Sequence, residues 1–200
     1  DYLKSLSRKE LICGYAEIFK HSLIYSKQNF LFLEKFYKKI LSLEKKVLEK
    51  AILESCKIKK SIVQKDEKEN NLRMILNLGH TFGHAYEAAC GYKNILNHGE
   101  GVMLGIKTAI LFSLKEKKLS LNDFKRINQN ILNLNFNLKL KKFFSLKDIN
   151  KLLGYMKNDK KNNNSKINLV LLNKIGKASI KNSYDQKKIK KFFYENLNNI

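Results

Sequence analysis

Along most of this chain apolar residues return every third or fourth position, the period of a helix with one buried face. Leu11, Tyr15, Ile18 and Ser22 keep that spacing through residues 8–26. Residues 28–42 and 44–65 predict two further helices, and the polar run 66–71 predicts a turn after them. A fourth helix is expected over 72–90, ending near Gly91, with a loop over 91–98. Residues 101–117 predict a helix that turns Val102, Ile106 and Ile110 inward. Shorter helices are expected over 121–134 and 145–156, and a polar loop over 158–165. The period then changes to two: residues 166–172 and 177–181 alternate around 173–176, as in a small hairpin. A strongly basic helix over 184–198 closes the chain. Proline is absent, so Gly, Asn and Ser must stop the helices. The expectation is a mainly α, multi-helix domain spanning 1–200, with one β-hairpin near its C-terminus and no internal repeat.

Composition narrows the class. A 200-residue chain with 44% hydrophobic residues can bury a core without staples. No run of eighteen apolar residues occurs, so no transmembrane helix and no membrane partner are expected. The first ten residues are charged and lead straight into a helical pattern, unlike a signal peptide. Cys13, Cys56 and Cys90 are odd in number and far apart, which suits a reducing cytoplasm better than a disulfide framework. The chain starts at Asp1, which leaves room for a longer parent. The net charge of +22 could serve an acidic substrate or a nucleic acid. Its lysines are spread from end to end, however, which favours solvated faces over a nucleic-acid site. No GxGxxG or GxxxxGKS loop occurs, so no complete nucleotide site is encoded.

The chemistry concentrates between Arg73 and His98. Arg73, Asn77, His80 and His84 step by four, three and four, and would form one stripe on a helix. Beside them run Leu72, Leu76, Gly79 and Gly83. Two glycines inside a helix cost about 1 kcal/mol each against alanine, which implies close approach of another backbone or a ligand. Histidine is the commonest metal ligand. From spacing alone, His80 and His84 pair at i and i+4, with His98 or a carboxylate as third ligand. Lys59 falls in line with Ile52, Cys56 and Val63, and either points inward with them or snorkels to solvent. Glu17 shares a face with Lys20, His21 and Ile24, where a surface ion pair is the plain alternative.

Taken together, these segments resemble the 3-dehydroquinate synthase family. LNLGHTFGH at 76–84 is similar to its most characteristic motif, and GYAEIFKHSLI at 14–24 to its first-helix motif. SCKIKKSIVQKDEKENNLR at 55–73, HGEGVMLGI at 98–106, DKK at 159–161 and IGKA at 175–178 follow in order. The loop before His98 is one residue longer than usual, with Asn97 inserted, and Gly101 stands where alanine is common. The resemblance implies the C-terminal, metal-carrying half of the enzyme. It implies zinc or cobalt on Glu17, His80 and His98, which leaves His84 facing a substrate phosphate instead. It implies substrate contacts for Lys20, Lys59, Arg73 and Asn77, and for Lys160 or Lys161. Tyr2, Leu3, Lys4 and Ser5 match a segment that edges the NAD pocket. The implied reaction converts 3-deoxy-arabino-heptulosonate 7-phosphate to 3-dehydroquinate and phosphate, in a likeness that also brings a homodimer and an N-terminal NAD-binding half. This chain by itself is therefore expected to be inactive. The competing enzyme readings are a related sugar-phosphate cyclase or a polyol dehydrogenase. The competing reading outside enzymes is a basic nucleic-acid-binding domain.

Overall fold

The computed structural model describes residues 2–91, 95–134, 138–158 and 166–200. Eight α-helices are formed among them: α1 (Arg8–Tyr25), α2 (Lys27–Leu41), α3 (Lys45–Lys65), α4 (His80–Ala89), α5 (His98–Lys115), α6 (Leu121–Asn133), α7 (Ile149–Lys157) and α8 (Gln186–Asn196). Strands β1 (Lys166–Lys174) and β2 (Lys177–Asp185) pair antiparallel, with Lys166 opposite Asp185 and Lys174 opposite Lys177. The expected mainly α domain with one hairpin is therefore present.

Helix α5 is the axis of the fold. It is apolar almost all round, and Val102, Met103, Leu104, Ile106, Ala109 and Ile110 are all buried. A helix hydrophobic on every side must be covered on every side, and α5 packs against α4, α1, α6 and β1. Its start is encoded locally. Asn97 caps the helix by accepting from the Glu100 N–H, while Glu100 accepts from the Asn97 N–H. That capping box satisfies two orphan donors of the first turn. His98 is thus the first residue of α5, not part of the loop expected over 91–98. Asn97 and Glu100, three apart, were the readable sign of that start.

The helix expected over 72–90 is broken. Residues Leu72–Asn77 form a 3-10 turn, and α4 begins only at His80. Two causes lie in the sequence. The Asp66 carboxylate accepts from the backbone N–H groups of Asn70, Asn71 and Arg73 and winds this segment tightly. Gly79 then takes φ +80°, a left-handed conformation that glycine alone adopts freely. A Cβ at Gly79 would stand 2.6 Å from the Ile106 nitrogen. The close approach inferred from the glycines is real: α4 lies backbone to backbone on α5. What fails is the idea of a single helical stripe through Arg73, Asn77, His80 and His84.

Three smaller corrections concern boundaries and one stripe. Strand β2 runs on to Asp185, so the closing helix begins two residues later than expected and gives way to a 3-10 turn at Leu197–Asn199. Leu146–Asp148 is 3-10, and α7 starts at Ile149. On α3 the buried stripe is Ala51, Ser55, Ile58 and Ile62, so Ile52, Cys56 and Lys59 face outward. The hairpin is tied to the helices through its turn, where the Gly176 N–H donates to the Leu23 carbonyl at 2.8 Å.

Candidate metal centre

Three helix segments converge on one point. Glu17 comes from the middle of α1, His80 from the first residue of α4, and His98 from the first residue of α5. One donor atom from each lies within 4.8 Å of the other two. The break at Gly79 is what allows this, because it frees His80 to lie at a helix start beside α5.

Each donor is prepared by its surroundings. Glu17 is 40% exposed as a side chain, yet its Oε1 is buried and has no hydrogen-bond partner. Its other oxygen accepts from Lys20 Nζ at 2.7 Å. A buried carboxylate oxygen left unpaired is costly, and this one lies 3.8 Å from His80 Nε2. Burial works to raise the Glu17 carboxyl, but the Lys20 ammonium and its hydrogen bond hold it below the ordinary carboxylate value. His80 Nδ1 meets the Leu78 carbonyl at 3.4 Å. Because a carbonyl only accepts, that nitrogen carries the proton and Nε2 offers its lone pair toward Glu17. Burial, with Lys20 beside it, pushes the imidazole down to about 3, so it is neutral at physiological pH. His98 Nδ1 meets Glu87 Oε1 at 3.1 Å, which likewise leaves Nε2 free.

These residues fit a divalent ion of the zinc type. One carboxylate and two imidazoles form a three-ligand set that leaves coordination positions open, the pattern of a catalytic rather than a structural site. The unpartnered Glu17 Oε1 is the observation that asks for a cation. His84 is exposed, with its ring centroid 5.2 Å from that of His80 and 6.1 Å from that of His98, but it is not among the converging donors. The i, i+4 histidine pair suggested by spacing alone is replaced by a set drawn from three helices.

Next to the donors lies a cavity of about 210 Å³ lined by Glu17, Lys20, His21, Lys59, Glu69, Arg73, Leu76, Asn77 and His80. Lys20 is buried on α1, and burial lowers its ammonium despite the Glu17 partner. Lys59 reaches the cavity from the outward side of α3. Arg73 is placed by the Asp66 turn and donates to the Glu67 carbonyl. Asn77 donates to Glu69 Oε1 at 2.9 Å and to the Met74 carbonyl. Three cations around a small polar cavity suit an anion, with Arg73 able to grip carboxylate or phosphate in a fork. A larger cavity of about 480 Å³ beside α2 and α6 is lined by Arg8, Tyr37 and Lys38, and among the described residues no metal-ligating donors converge on it.

His21, Glu69 and Glu87 were not singled out from the sequence as members of the site. His21, four residues after Glu17, shares its face and could have been read that way. Its ring meets Ser55 Oγ at 2.7 Å and is pushed down to about 4 by burial. Glu69 lies in a tight turn at φ +56°, which no sequence pattern marked. Lys160 and Lys161 lie outside the described residues. Tyr2–Ser5 forms a 3-10 turn at the edge of α1.

Two imidazoles and a carboxylate beside a basic cavity are the donor set and the lining that a divalent metal ion and a small anion would need. Residues 14–162 match the family described as 3-dehydroquinate synthase C-terminal, and the chain belongs to that family. It is 47% identical over 197 residues to the 3-dehydroquinate synthase of Pelagibacter ubique, covering 98% of this chain and 54% of the relative. The 3-dehydroquinate synthase of Dictyoglomus thermophilum is 41% identical over 187 residues, covering 94% and 51%. The chain thus spans about half the length of the curated relatives it matches. Among solved structures, 2-epi-5-epi-valiolone synthase from Streptomyces hygroscopicus, with NAD+ and Zn2+ bound, superposes with a TM-score of 0.81 at 19% identity, covering 96% of this chain and 52% of that one. 2-Deoxy-scyllo-inosose synthase, with NAD+ and Co2+, gives 0.79 at 21% identity, covering 98% and 53%. At that identity these two speak for the fold.

Proposed function

We propose that this chain is the metal-carrying, substrate-binding half of a 3-dehydroquinate synthase, which converts 3-deoxy-arabino-heptulosonate 7-phosphate to 3-dehydroquinate and phosphate. The observation that carries the reading is the convergence of Glu17, His80 and His98, with an unpaired buried oxygen, on a cavity ringed by Lys20, Lys59 and Arg73.

Zinc or cobalt would be held by Glu17, His80 and His98, and when bound would supply Lewis acidity to the substrate hydroxyls. The chain's own residues account for the rest. Lys20 neutralises Glu17 and keeps it ionised for its ligand role. Leu78 and Glu87 hold the Nδ1 protons of His80 and His98, so that Nε2 of each is the nitrogen turned toward the metal. Lys59 and Arg73 grip the substrate's anionic groups, and Asn77, held by Glu69, orients a hydroxyl. His84, exposed one turn beyond His80, faces outward to receive the phosphate, with Lys160 or Lys161 adding a further cation.

The hydride step requires NAD, and this domain would meet it through Tyr2–Ser5 at the border with a preceding NAD-binding half. We assign residues 1–200 to one C-terminal helical domain of such a parent, working as a homodimer. A cytoplasmic setting fits three free thiols and the lack, among the described residues, of any helix able to cross a membrane.

Product analysis tests the reading. The full-length enzyme, given the heptulosonate phosphate, NAD and zinc, should form 3-dehydroquinate, whereas residues 1–200 alone should release no phosphate. Product from another sugar phosphate only would favour the cyclase relatives. A mobility shift with DNA at physiological salt and no turnover would favour nucleic-acid binding instead.

A further inference from the structure

His98 is an unusual ligand to find well oriented. Its side chain is 59% exposed and lies at a helix start, where packing alone cannot hold a ring. The His80 and His84 rings lie 5.9 and 6.1 Å from it, centroid to centroid, and its hydrogen-bond partner is Glu87, from the far part of α4. The Glu87 side chain is only 13% exposed, and both its oxygens face His98 Nδ1, Oε1 at 3.1 Å and Oε2 at 3.4 Å. The carboxylate can lie there because residue 101 is glycine. A Cβ at Gly101 would stand 2.5 Å from Glu87 Oε1 and 3.0 Å from its Cγ.

We propose that Glu87 is a positioning residue for the metal site: it fixes the His98 ring and its Nδ1–H tautomer so that Nε2 faces Glu17 and His80, and Gly101 provides the space that lets it do so. This rests on the metal-site reading above. The physical reasoning is general. An imidazole with one nitrogen held by a carboxylate presents the other as a more basic lone pair in a fixed direction, and loss of such a partner costs roughly 10–100-fold in metal affinity. The need is greatest at His98. His80 is held by its buried setting and the Leu78 carbonyl, whereas the His98 side chain is largely exposed and Glu87 is what orients its Nδ1.

The test uses the full-length enzyme and cobalt as a probe, with affinity measured by competition against a chromophoric chelator and the visible absorption recorded. Glu87→Ala should weaken cobalt binding about 10–100-fold and alter the absorption band. Glu87→Gln, whose amide oxygen still accepts from Nδ1–H, should lose less and keep more of the band. Gly101→Ala should weaken binding in the parent but change nothing further in the Glu87→Ala background, because both changes act on one contact. Should Glu87→Ala prove too unstable, Gly101→Ala leaves Glu87 in the chain and reads the same contact. Unchanged affinity and absorption in Glu87→Ala and Gly101→Ala, with metal lost in His98→Ala, would overturn this inference and leave the metal site standing. Metal retained in His98→Ala would overturn the site, and the inference with it.

Discussion

Glu17 carries two oxygens with different fates. Oε2 takes the Lys20 ammonium at 2.7 Å, and Oε1 points, buried and unpaired, at His80. A side chain arranged only for a surface ion pair would have both oxygens in solvent. The same contrast separates the two histidines of the HxxxH motif. His80 has one nitrogen tied to a carbonyl and the other aimed inward, whereas His84 is exposed. In the full-length enzyme His84→Ala should therefore retain its metal while activity falls at least about tenfold, the loss expected for one missing charge-assisted contact to phosphate. Metal loss as great as that of His80→Ala would restore the i, i+4 pair as the ligand set. At this scale the sequence was legible where residue type and chemistry coincide. His80, His98 and Arg73 stand out in a chain dominated by Lys and Asn, whereas Glu17 and Lys20 were readable only through the family resemblance. Glu87 did not stand out, because nothing within a few positions of it shows what it faces across the fold, and His21, though in line with Glu17, gave no sign of its Ser55 partner on α3.

The helices follow from periodicity, and most of their limits do as well. The break before α4 does not, because both of its causes act against the local pattern. Asp66 gathers N–H groups from four, five and seven residues ahead, and Gly79 takes φ +80° where a side chain would strike Ile106 of α5, more than twenty residues away. Periodicity describes one element at a time and cannot register either. The break is central to the site, since it sets His80 at a helix start. Gly79→Ala combines a left-handed alanine with a Cβ 2.6 Å from the Ile106 nitrogen. It should cost about 2–4 kcal/mol in denaturant unfolding and reduce metal affinity together with stability. A loss below about 0.5 kcal/mol, the size of an ordinary surface substitution, would mean that the chain relaxes around residue 79 and that the glycine is not required.

The whole molecule is a basic helical half whose reactive groups gather at one cavity. Its +22 charge is dispersed, but Lys20, Lys59 and Arg73 meet there. Burial depresses both His21 and His80, with help from Lys20 at each and from Lys59 at His21. His21 is buried on Ser55, faces Lys20, Glu17 and Lys59, and titrates at about 4 instead of 6.5. Unfolded chains then bind the extra proton between those values, so the stability linked to His21 is complete above pH 6.5 and is lost as pH falls toward 4. With metal removed by chelator, the urea midpoint should drop more between pH 7 and pH 5 for the parent enzyme than for His21→Gln; equal drops would contradict the burial account. The most direct measurement of the central claim is metal content after exhaustive dialysis, by elemental analysis of the full-length enzyme and of Glu17→Ala, His80→Ala and His98→Ala. The account predicts one divalent ion per chain in the parent and a large loss in each variant. Full occupancy in all three variants would contradict it.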